Sequence, residues 1–459
     1  MKIKAIFGPP GTGKSSSLIE EARQLDGKNI AFLSFTRAAA REIASRSGRV
    51  KSHASTLHSL IYSLMNLSPA SVVNAYKMVE FQAASGVPFR RNADEENQEG
   101  DDYMAALSLA VNRMIDPMEA YDYLGRPGSM SKFKMFYESY ASWKSTYGYV
   151  DFNDMLQIGL KVRMRHFDAV FLDEAQDLSP LQWRVFERVI ANSSEVIIAG
   201  DDDQAIFEWS GADPHGMDDF VTRHDGEVGV LAQSWRVPKA SYNMAHDFAL
   251  APISRRVDKK FYPTPLEGEV IEYGDIDTID LARECAGREV MILARDRYRL
   301  REIQRALHHH MVPYSMEGGT SPYENLLSEA MRGWKRGSEP TDDEKAAMGK
   351  CAVGKHNTWQ DLKKLDWRSA FRIPAYLVDF YAEADLFSTA TVRLSTVHQA
   401  KGREADDVIL DLTMSPRVEE GMYPNPDAEA RVLYVSLTRN RKRLLLCGDN
   451  PMMHWAKHK

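Results

Sequence analysis

The sequence predicts an α/β fold made of two series of parallel strands with helices between them. Three observations carry this. Apolar runs of strand length occur at Ile3–Phe7, Ile30–Phe35, Ala169–Leu172 and Val196–Ala199, and again at Val290–Ala294, Val392–Ser395, Val408–Leu412 and Leu444–Cys447. These runs are continuous rather than alternating, as in strands covered on both faces. Segments of helical period lie between them, for example from about Lys14 and over Leu181–Ile190. Such alternation places helices on both faces of a parallel sheet.

A chain of 459 residues, 44% hydrophobic and 27% charged, holds enough apolar material for more than one core. The first series predicts one core from residues 1–59 and 145–228. Residues 60–144 form a helical insertion in it, rich in Met, Ala, Tyr and Ser. Within that insertion Asp94–Asp102 reads as a solvated loop. The second series predicts a core from residues 229–337 and 389–459, interrupted by a small insertion at 338–388. Gly337–Lys345 (GSEPTDDEK) reads as a linker.

The net charge of −7 argues against a passive basic nucleic-acid coat but leaves room for a local basic groove. Cys285, Cys351 and Cys447 share no CxxC spacing, which fits a reducing compartment and gives no zinc site. No apolar run of about 18 residues is present, so no membrane span is expected. The first residues do not read as a signal peptide, and the expected location is the cytoplasm. The triple His308–His310 invites a metal reading. Consecutive residues point to different helix faces, so an exposed helix end is expected instead.

Gly8-Pro9-Pro10-Gly11-Thr12-Gly13-Lys14-Ser15 fits G-x-x-x-x-G-K-[ST] in full, after an apolar strand and before a helix. Glycines let the backbone N–H groups wrap phosphate, and the helix N-terminus, with Ser16 in its first turn, adds positive potential. Lys14 is expected to reach the β- and γ-phosphates of ATP, and the Ser15 hydroxyl to bind Mg2+. The complementary acidic strand end is Phe171-Leu172-Asp173-Glu174-Ala175-Gln176-Asp177. Asp173 is expected at the Mg2+, and Glu174 as the base for the attacking water.

The P-loop together with DEAQD resembles the UvrD/Rep/PcrA group of superfamily 1 helicases, and further segments extend the resemblance from residue 3 to about residue 447. FLSFTRAAAREI (Phe32–Ile43) is similar to motif Ia and STLHSL (Ser55–Leu60) to motif Ib. The resemblance puts Phe35, Thr36, Arg37, Thr56 and His58 at single-stranded DNA. Read alone, Phe35 also fits a core residue at a strand end, the lesser of the two readings. IIAGDDDQAIFEWSGAD (Ile197–Asp213) resembles motif III, which implies that Gln204 senses the γ-phosphate and Trp209 stacks on a base. Gln233-Ser234-Trp235-Arg236 resembles motif IV, with Trp235 implied at adenine and Arg236 at the γ-phosphate. STVHQAKGRE (Ser395–Glu404) resembles motif V, with Thr396 and His398 implied at DNA and Glu404 at the ribose. LYVSLTRNRKRLLL (Leu433–Leu446) resembles motif VI, with Arg439 as a second γ-phosphate arginine.

The resemblance implies two RecA-like P-loop domains, each with a mostly helical insertion, and ATP hydrolysis driven by closure of the cores. It implies an ATP-dependent DNA helicase that moves 3′ to 5′ on single-stranded DNA, acts at single-strand/duplex junctions, works as a monomer and is loaded by a replication or repair partner. Three departures stand out. The seven residues before Gly8 leave no place for the Gln-containing adenine motif, so adenine selectivity stays open. Arg403 stands where the family often has leucine. The second insertion is short, which motivates the alternative of a translocase that clears bound proteins and unwinds poorly alone; compactness also suggests a phage or plasmid enzyme acting in a host cytoplasm. A P-loop kinase or switch without DNA, and RNA as the track, are further alternatives.

Overall fold

A computed structural model describes residues 1–25, 27–48, 52–90, 98–125, 128–274, 278–285, 287–316, 322–339, 341–351, 374–383, 391–449 and 453. The chain divides into two compact units: residues 1–235 with 255–262, and residues 236–254 with 263–459. Each unit is built on a parallel sheet flanked by helices, the α/β class expected of two RecA-like domains.

The first unit holds β1 (Lys2–Phe7), β2 (Ile30–Leu33), β3 (His53–Ser55), β4 (Ala169–Leu172), β5 (Glu195–Gly200) and β6 (Glu227–Val230). They lie in the order β3-β2-β4-β5-β1-β6, and every pairing is parallel. The continuous apolar runs have a period-two logic. Ala5 and Phe7, Leu33, Val170 and Leu172, and Val196 and Ile198 pack on one face; Ile6, Phe32, Ala169 and Phe171, and Ile197 and Ala199 pack on the other. Both faces are therefore dry, and the loops at the strands' carboxyl ends are left to carry chemistry. The second strand ends at Leu33, so Phe35 stands in the following loop rather than on the strand. The sixth strand straddles the expected 228/229 boundary and pairs through Glu227–Val230 with β1.

Between β3 and β4 the chain is helical. Helices Leu57–Leu64 and Phe152–Gly159 pack into the sheet's core through Leu60, Ile61, Met155 and Leu156. Helices Ala75–Ser85, Glu99–Arg113, Pro117–Tyr123 and Met130–Tyr147 share an aromatic core of their own, in which the Tyr121 and Phe133 rings stack 4.5 Å apart. The acidic stretch expected to be a loop through Asp102 instead opens a helix. Asp101 accepts from the Gln98 N–H at 3.0 Å, and Glu99, Asp101 and Asp102 fill the first turn, where the helix dipole favours negative charge. Residues 94–97 of that stretch lie outside the described residues.

The second unit holds β7 (Glu269–Gly274), β8 (Val290–Ala294), β9 (Tyr314–Met316), β10 (Val392–Thr396), β11 (Ala405–Asp411) and β12 (Asn440–Cys447), in the order β7-β12-β11-β8-β10-β9. Helices Pro322–Lys335, Asp342–Cys351 and Ala375–Glu383 lie between β9 and β10. Leu327, Met331, Met348, Val378 and Phe380 pack with Ile292, Ile303 and Leu394 in one cluster. Residues 340, 352–373 and 384–388 of the expected insertion lie outside the described residues. The supposed linker 337–345 carries a helix start. The Thr341 hydroxyl accepts from the Glu344 N–H at 3.3 Å and Glu344 accepts from the Thr341 N–H at 2.6 Å, a T-x-x-E capping box.

The expectation of an exposed helix end at His308–His310 fails at its first residue. His308 is buried and hydrogen-bonded to the Tyr314 hydroxyl at 2.8 Å, with the Phe380 ring 4.4 Å away. Burial, then His309, pushes its pKa down to about 4, so it is a neutral core residue. Cys285 and Cys447 are buried free thiols. Among the described residues no helix is long and apolar enough to cross a membrane.

Candidate functional site

β1 runs straight into the glycine loop, where the Gly8 N–H donates to the Gly200 carbonyl at 3.0 Å. Gly11 and Gly13 hold φ of 74° and 86°, the left-handed region in which a Cβ is strained. Gly8 is needed for space. A Cβ there would lie 2.5 Å from Thr12 Oγ1 and 2.8 Å from Lys14 Cγ. The Lys14 ammonium donates to the Gly8 carbonyl at 2.6 Å, and the Thr12 hydroxyl to Pro9 O at 2.8 Å. The helix Lys14–Arg23, with Ser15 and Ser16 in its first turn, has no acidic residue there to oppose its positive end. The loop's geometry and its positive helix end suit it to cradle a polyphosphate.

The acidic strand end faces it. Asp173 follows β4 and is buried; Ser15 Oγ donates to Asp173 Oδ2 at 2.8 Å, and the Glu174 N–H to Oδ1 at 3.0 Å. Burial, then the neighbouring Glu174 charge, raises the Asp173 carboxyl to about 6 against the opposing Ser15 bond. A hydroxyl and a carboxylate are hard oxygen donors, and a carboxylate destabilised by burial gains most from a cation, so the pair fits Mg2+. Glu174 has φ 55°, a left-handed conformation that a non-glycine residue adopts at a cost. Its carboxylate accepts from Gln176 Nε2 at 2.5 Å. Fully buried Gln176 in turn accepts the Asp201 N–H on Oε1 at 3.0 Å, and Asp201 Oδ2 accepts from Gln204 Nε2 at 2.6 Å. Glu174, Gln176, Asp201 and Gln204 are thus one hydrogen-bonded series beside the loop. Gly200 makes room for it, because a Cβ there would lie 2.5 Å from Gln176 Oε1.

Motif IV closes on the same loop. The Ser234 hydroxyl donates to Pro10 O at 2.8 Å and the Trp235 N–H to Gly11 O at 2.9 Å. The indole of Trp235 is left 76% exposed beside the phosphate cradle.

Phe35, His58 and Trp209, three of the residues assigned to nucleic acid, lie on the same unit. Phe35 is 43% exposed and stacks on Phe207, centroids 5.1 Å apart. A cavity of about 240 Å3 is lined by Ser34, Phe35, Thr56, His58, Asn112 and Ser210, among others. Trp209, next to Ser210, is 62% exposed. His58 packs edge-on to Phe152, and burial lowers its pKa, so it offers a neutral ring rather than a charge. Thr36 and Thr56 are both helix N-caps, accepting from the Ala39 and Ser59 N–H groups at 3.2 Å each. Their hydroxyls are engaged by the chain, and what they turn toward a phosphate is a capped helix N-terminus. Arg37 donates from Nε to Ser59 Oγ at 2.7 Å, tying motif Ia to motif Ib.

In the second unit Arg236 ion-pairs with Glu404, whose other oxygen lies 3.3 Å from Arg441. Arg403 is exposed, and its carbonyl accepts from Arg439. Arg439 is fully buried; it donates to Val435 O at 2.8 Å, Thr438 Oγ1 at 3.1 Å and Arg403 O at 3.4 Å. Thr396 is buried at the end of β10, where its hydroxyl accepts from the Gln399 N–H at 3.3 Å, and His398 sits on the turn between them. The structure thus brings Arg236 to Glu404 and Arg439 to the motif V backbone.

Sequence reasoning named no role for Gln176, Ser234 or Phe207, although all three lie inside quoted motifs. It missed Arg256 and Lys259 altogether. Their signal was the basic run RRVDKK, which answers the acidic run Asp201–Asp203 in the same unit.

Comparison with known proteins bears on this arrangement. Residues 3–225 match the model of the UvrD/REP helicase N-terminal domain, and residues 380–449 that of the UvrD-like helicase C-terminal domain. The chain is 26% identical over 324 residues to the ATP-dependent DNA helicase UvrD2 of Mycobacterium tuberculosis, covering 60% of this chain and 46% of that protein. It is 23% identical over 365 residues to the ATP-dependent DNA helicase PcrA of Staphylococcus aureus, covering 70% and 49%. With DNA helicase II of Haemophilus influenzae it shares 25% identity over 211 residues, 41% and 29% of the two chains. The matched part of the chain spans about half the length of these relatives or less. With the N-terminal and C-terminal models of one family matched over well more than half of its residues, the chain belongs to the UvrD/Rep-like helicases of superfamily 1.

Proposed function

We propose that the protein is an ATP-dependent DNA helicase that translocates on single-stranded DNA and unwinds duplex ahead of it. One observation carries the reading. The segment Asp201–Ser210 is bonded at its start to the Glu174–Gln176 pair beside the phosphate loop, and a few residues on it stacks Phe207 on Phe35 and presents Trp209. A short segment that both ligands can bias is the form that chemical-to-mechanical coupling requires.

On this reading Lys14 and the 8–16 loop hold the triphosphate, Ser15 and Asp173 hold Mg2+, and Trp235 stacks on the base. Mg2+ supplies charge neutralisation on the phosphate oxygens. Glu174 takes the proton of the attacking water, with Gln176 fixing its carboxylate. Gln204 senses the γ-phosphate. Arg236 and Arg439 contribute positive charge for the transition state, and Glu404, which already holds Arg236, orients it or meets the ribose. Hydrolysis is coupled to closure of two RecA-like cores, built on the β3-β2-β4-β5-β1-β6 and β7-β12-β11-β8-β10-β9 sheets. Phe35, Thr36, Arg37, Thr56, His58, Trp209, Thr396 and His398 meet the strand by stacking and backbone contacts, which carry little sequence information. Direction 3′ to 5′, monomeric action at single-strand/duplex junctions and a replication or repair loading partner rest on the family resemblance.

Strand displacement on duplexes with a 3′ or a 5′ single-stranded tail tests the proposal. ATP-dependent displacement of the 3′-tailed substrate, abolished by Lys14→Ala and Glu174→Gln, is expected. Equal displacement without ATP, or none from either substrate while the protein binds both, overturns the helicase reading; in the second case, stripping of a bound protein from single-stranded DNA identifies a clearing translocase.

A further inference from the structure

Three consecutive carboxylates, Asp201, Asp202 and Asp203, are buried with ligand oxygens within 4.8 Å of one another. That is the spacing of a cation site, and the cation is supplied by the chain. Lys259 Nζ lies 3.1 Å from Asp201 and 2.8 Å from Asp203, and also bonds Asp202. Arg256 grips Asp203 with two bonds of 2.8 and 2.6 Å, and the Val257 N–H donates to Asp202 at 2.8 Å. Burial works against the Lys259 charge, but the three carboxylates outweigh it and hold its pKa above the usual lysine range. The residues that do this, Arg255–Tyr262, belong to the first unit although both flanks of the segment belong to the second.

The two cations differ in which carboxylates they reach. Arg256 binds Asp203, whereas Lys259 also binds Asp201, the residue whose other oxygen holds the Gln204 amide. A carboxylate only accepts hydrogen bonds, so Gln204 must turn its N–H toward Asp201 and its carbonyl away. We propose that Lys259 is a positioning residue for nucleotide hydrolysis, anchoring Asp201 so that the Gln204 amide keeps a single orientation. The proposal rests on reading Gln204 as the γ-phosphate sensor.

The test measures kcat and KM for ATP in the presence of single-stranded DNA, beside thermal unfolding, for Lys259→Met, Lys259→Arg, Arg256→Gln, Asp201→Asn and Gln204→Ala. Lys259→Met is expected to lower kcat by at least about tenfold with KM within about threefold, and Lys259→Arg to recover most of it. Arg256→Gln is expected to lower the unfolding temperature while kcat of the folded protein stays within about twofold. If Lys259→Met does not fold, Asp201→Asn decides. It is isosteric and lets the amide flip, so kcat is expected to fall at least about fivefold with unfolding little changed. Equal kcat losses in the Lys259 and Arg256 variants, or unchanged kcat in folded Lys259→Met, overturn the proposal and leave Lys259 a structural ion. Unchanged kcat in Gln204→Ala overturns instead the reading of Gln204 on which it rests.

Discussion

Replacing Asp173 with asparagine isolates the cost of a buried carboxylate at the expected metal position. The folded-state pKa is raised from 3.8 to about 6, chiefly by burial and then by Glu174. Between these values the folded protein holds a proton that the unfolded chain has released, so stability falls as pH rises through that window. The gap between the two values corresponds to about 3 kcal/mol at pH 8, about half of it already developed at pH 5. The asparagine side chain of the variant has no proton to lose. In urea denaturation of cation-free protein, the stability of Asp173→Asn relative to wild type should therefore climb by about half of those ~3 kcal/mol from pH 5 to pH 8. Any constant offset from the changed bonds to Ser15 and Glu174 drops out of this slope. Mg2+ with nucleotide should stabilise wild type above pH 6, more weakly below it, and Asp173→Asn hardly at all. A stability difference that does not vary with pH would mean that burial does not hold a proton on Asp173.

Three further outcomes follow from particular contacts. Gly8→Ala drives a Cβ into Thr12 and the Lys14 stem, so nucleotide affinity by fluorescence titration should fall at least about tenfold while the unfolding temperature moves little. Phe35→Ala removes an exposed ring stacked on Phe207; single-stranded DNA affinity should fall by about 1–3 kcal/mol, read by anisotropy, with ATPase in the absence of DNA retained. Lys144→Met strands Asp151 and Asp154, each 2.7 Å from the Lys144 ammonium, and should cost about 3 kcal/mol in denaturant unfolding of the first unit. A loss below about 1 kcal/mol would mean that solvent screens the pair.

The strands and the phosphate site were legible because their chemistry is local. Val290–Ala294 and Ala169–Leu172 are apolar without interruption and end at acidic or loop residues, and the Gly8–Ser15 loop needs only its own neighbours to form. Helix starts were misread where acidic residues looked like solvated loop. Asp101 and Glu344 are capping residues, and their partners Gln98 and Thr341 were visible three positions away. The buried His308 was not legible, because its partners Tyr314 and Phe380 come from a strand and an inserted helix. The same holds within the site. Asp173 and Ser15 are 158 residues apart, and motif matching paired them; Lys259 meets Asp201 across 58 positions with no motif to announce it. Charge balance was the available signal, since three adjacent carboxylates in an otherwise apolar strand end need cations.

The most direct test of the central claim is the rate of ATP hydrolysis measured without polymer, and with single-stranded DNA, duplex DNA or RNA. Many-fold stimulation by single-stranded DNA is expected, declining with salt and absent in Lys14→Ala and Glu174→Gln. A rate indifferent to every polymer would contradict it, because the segment from Gln204 to Trp209 would then join the phosphate site to nothing.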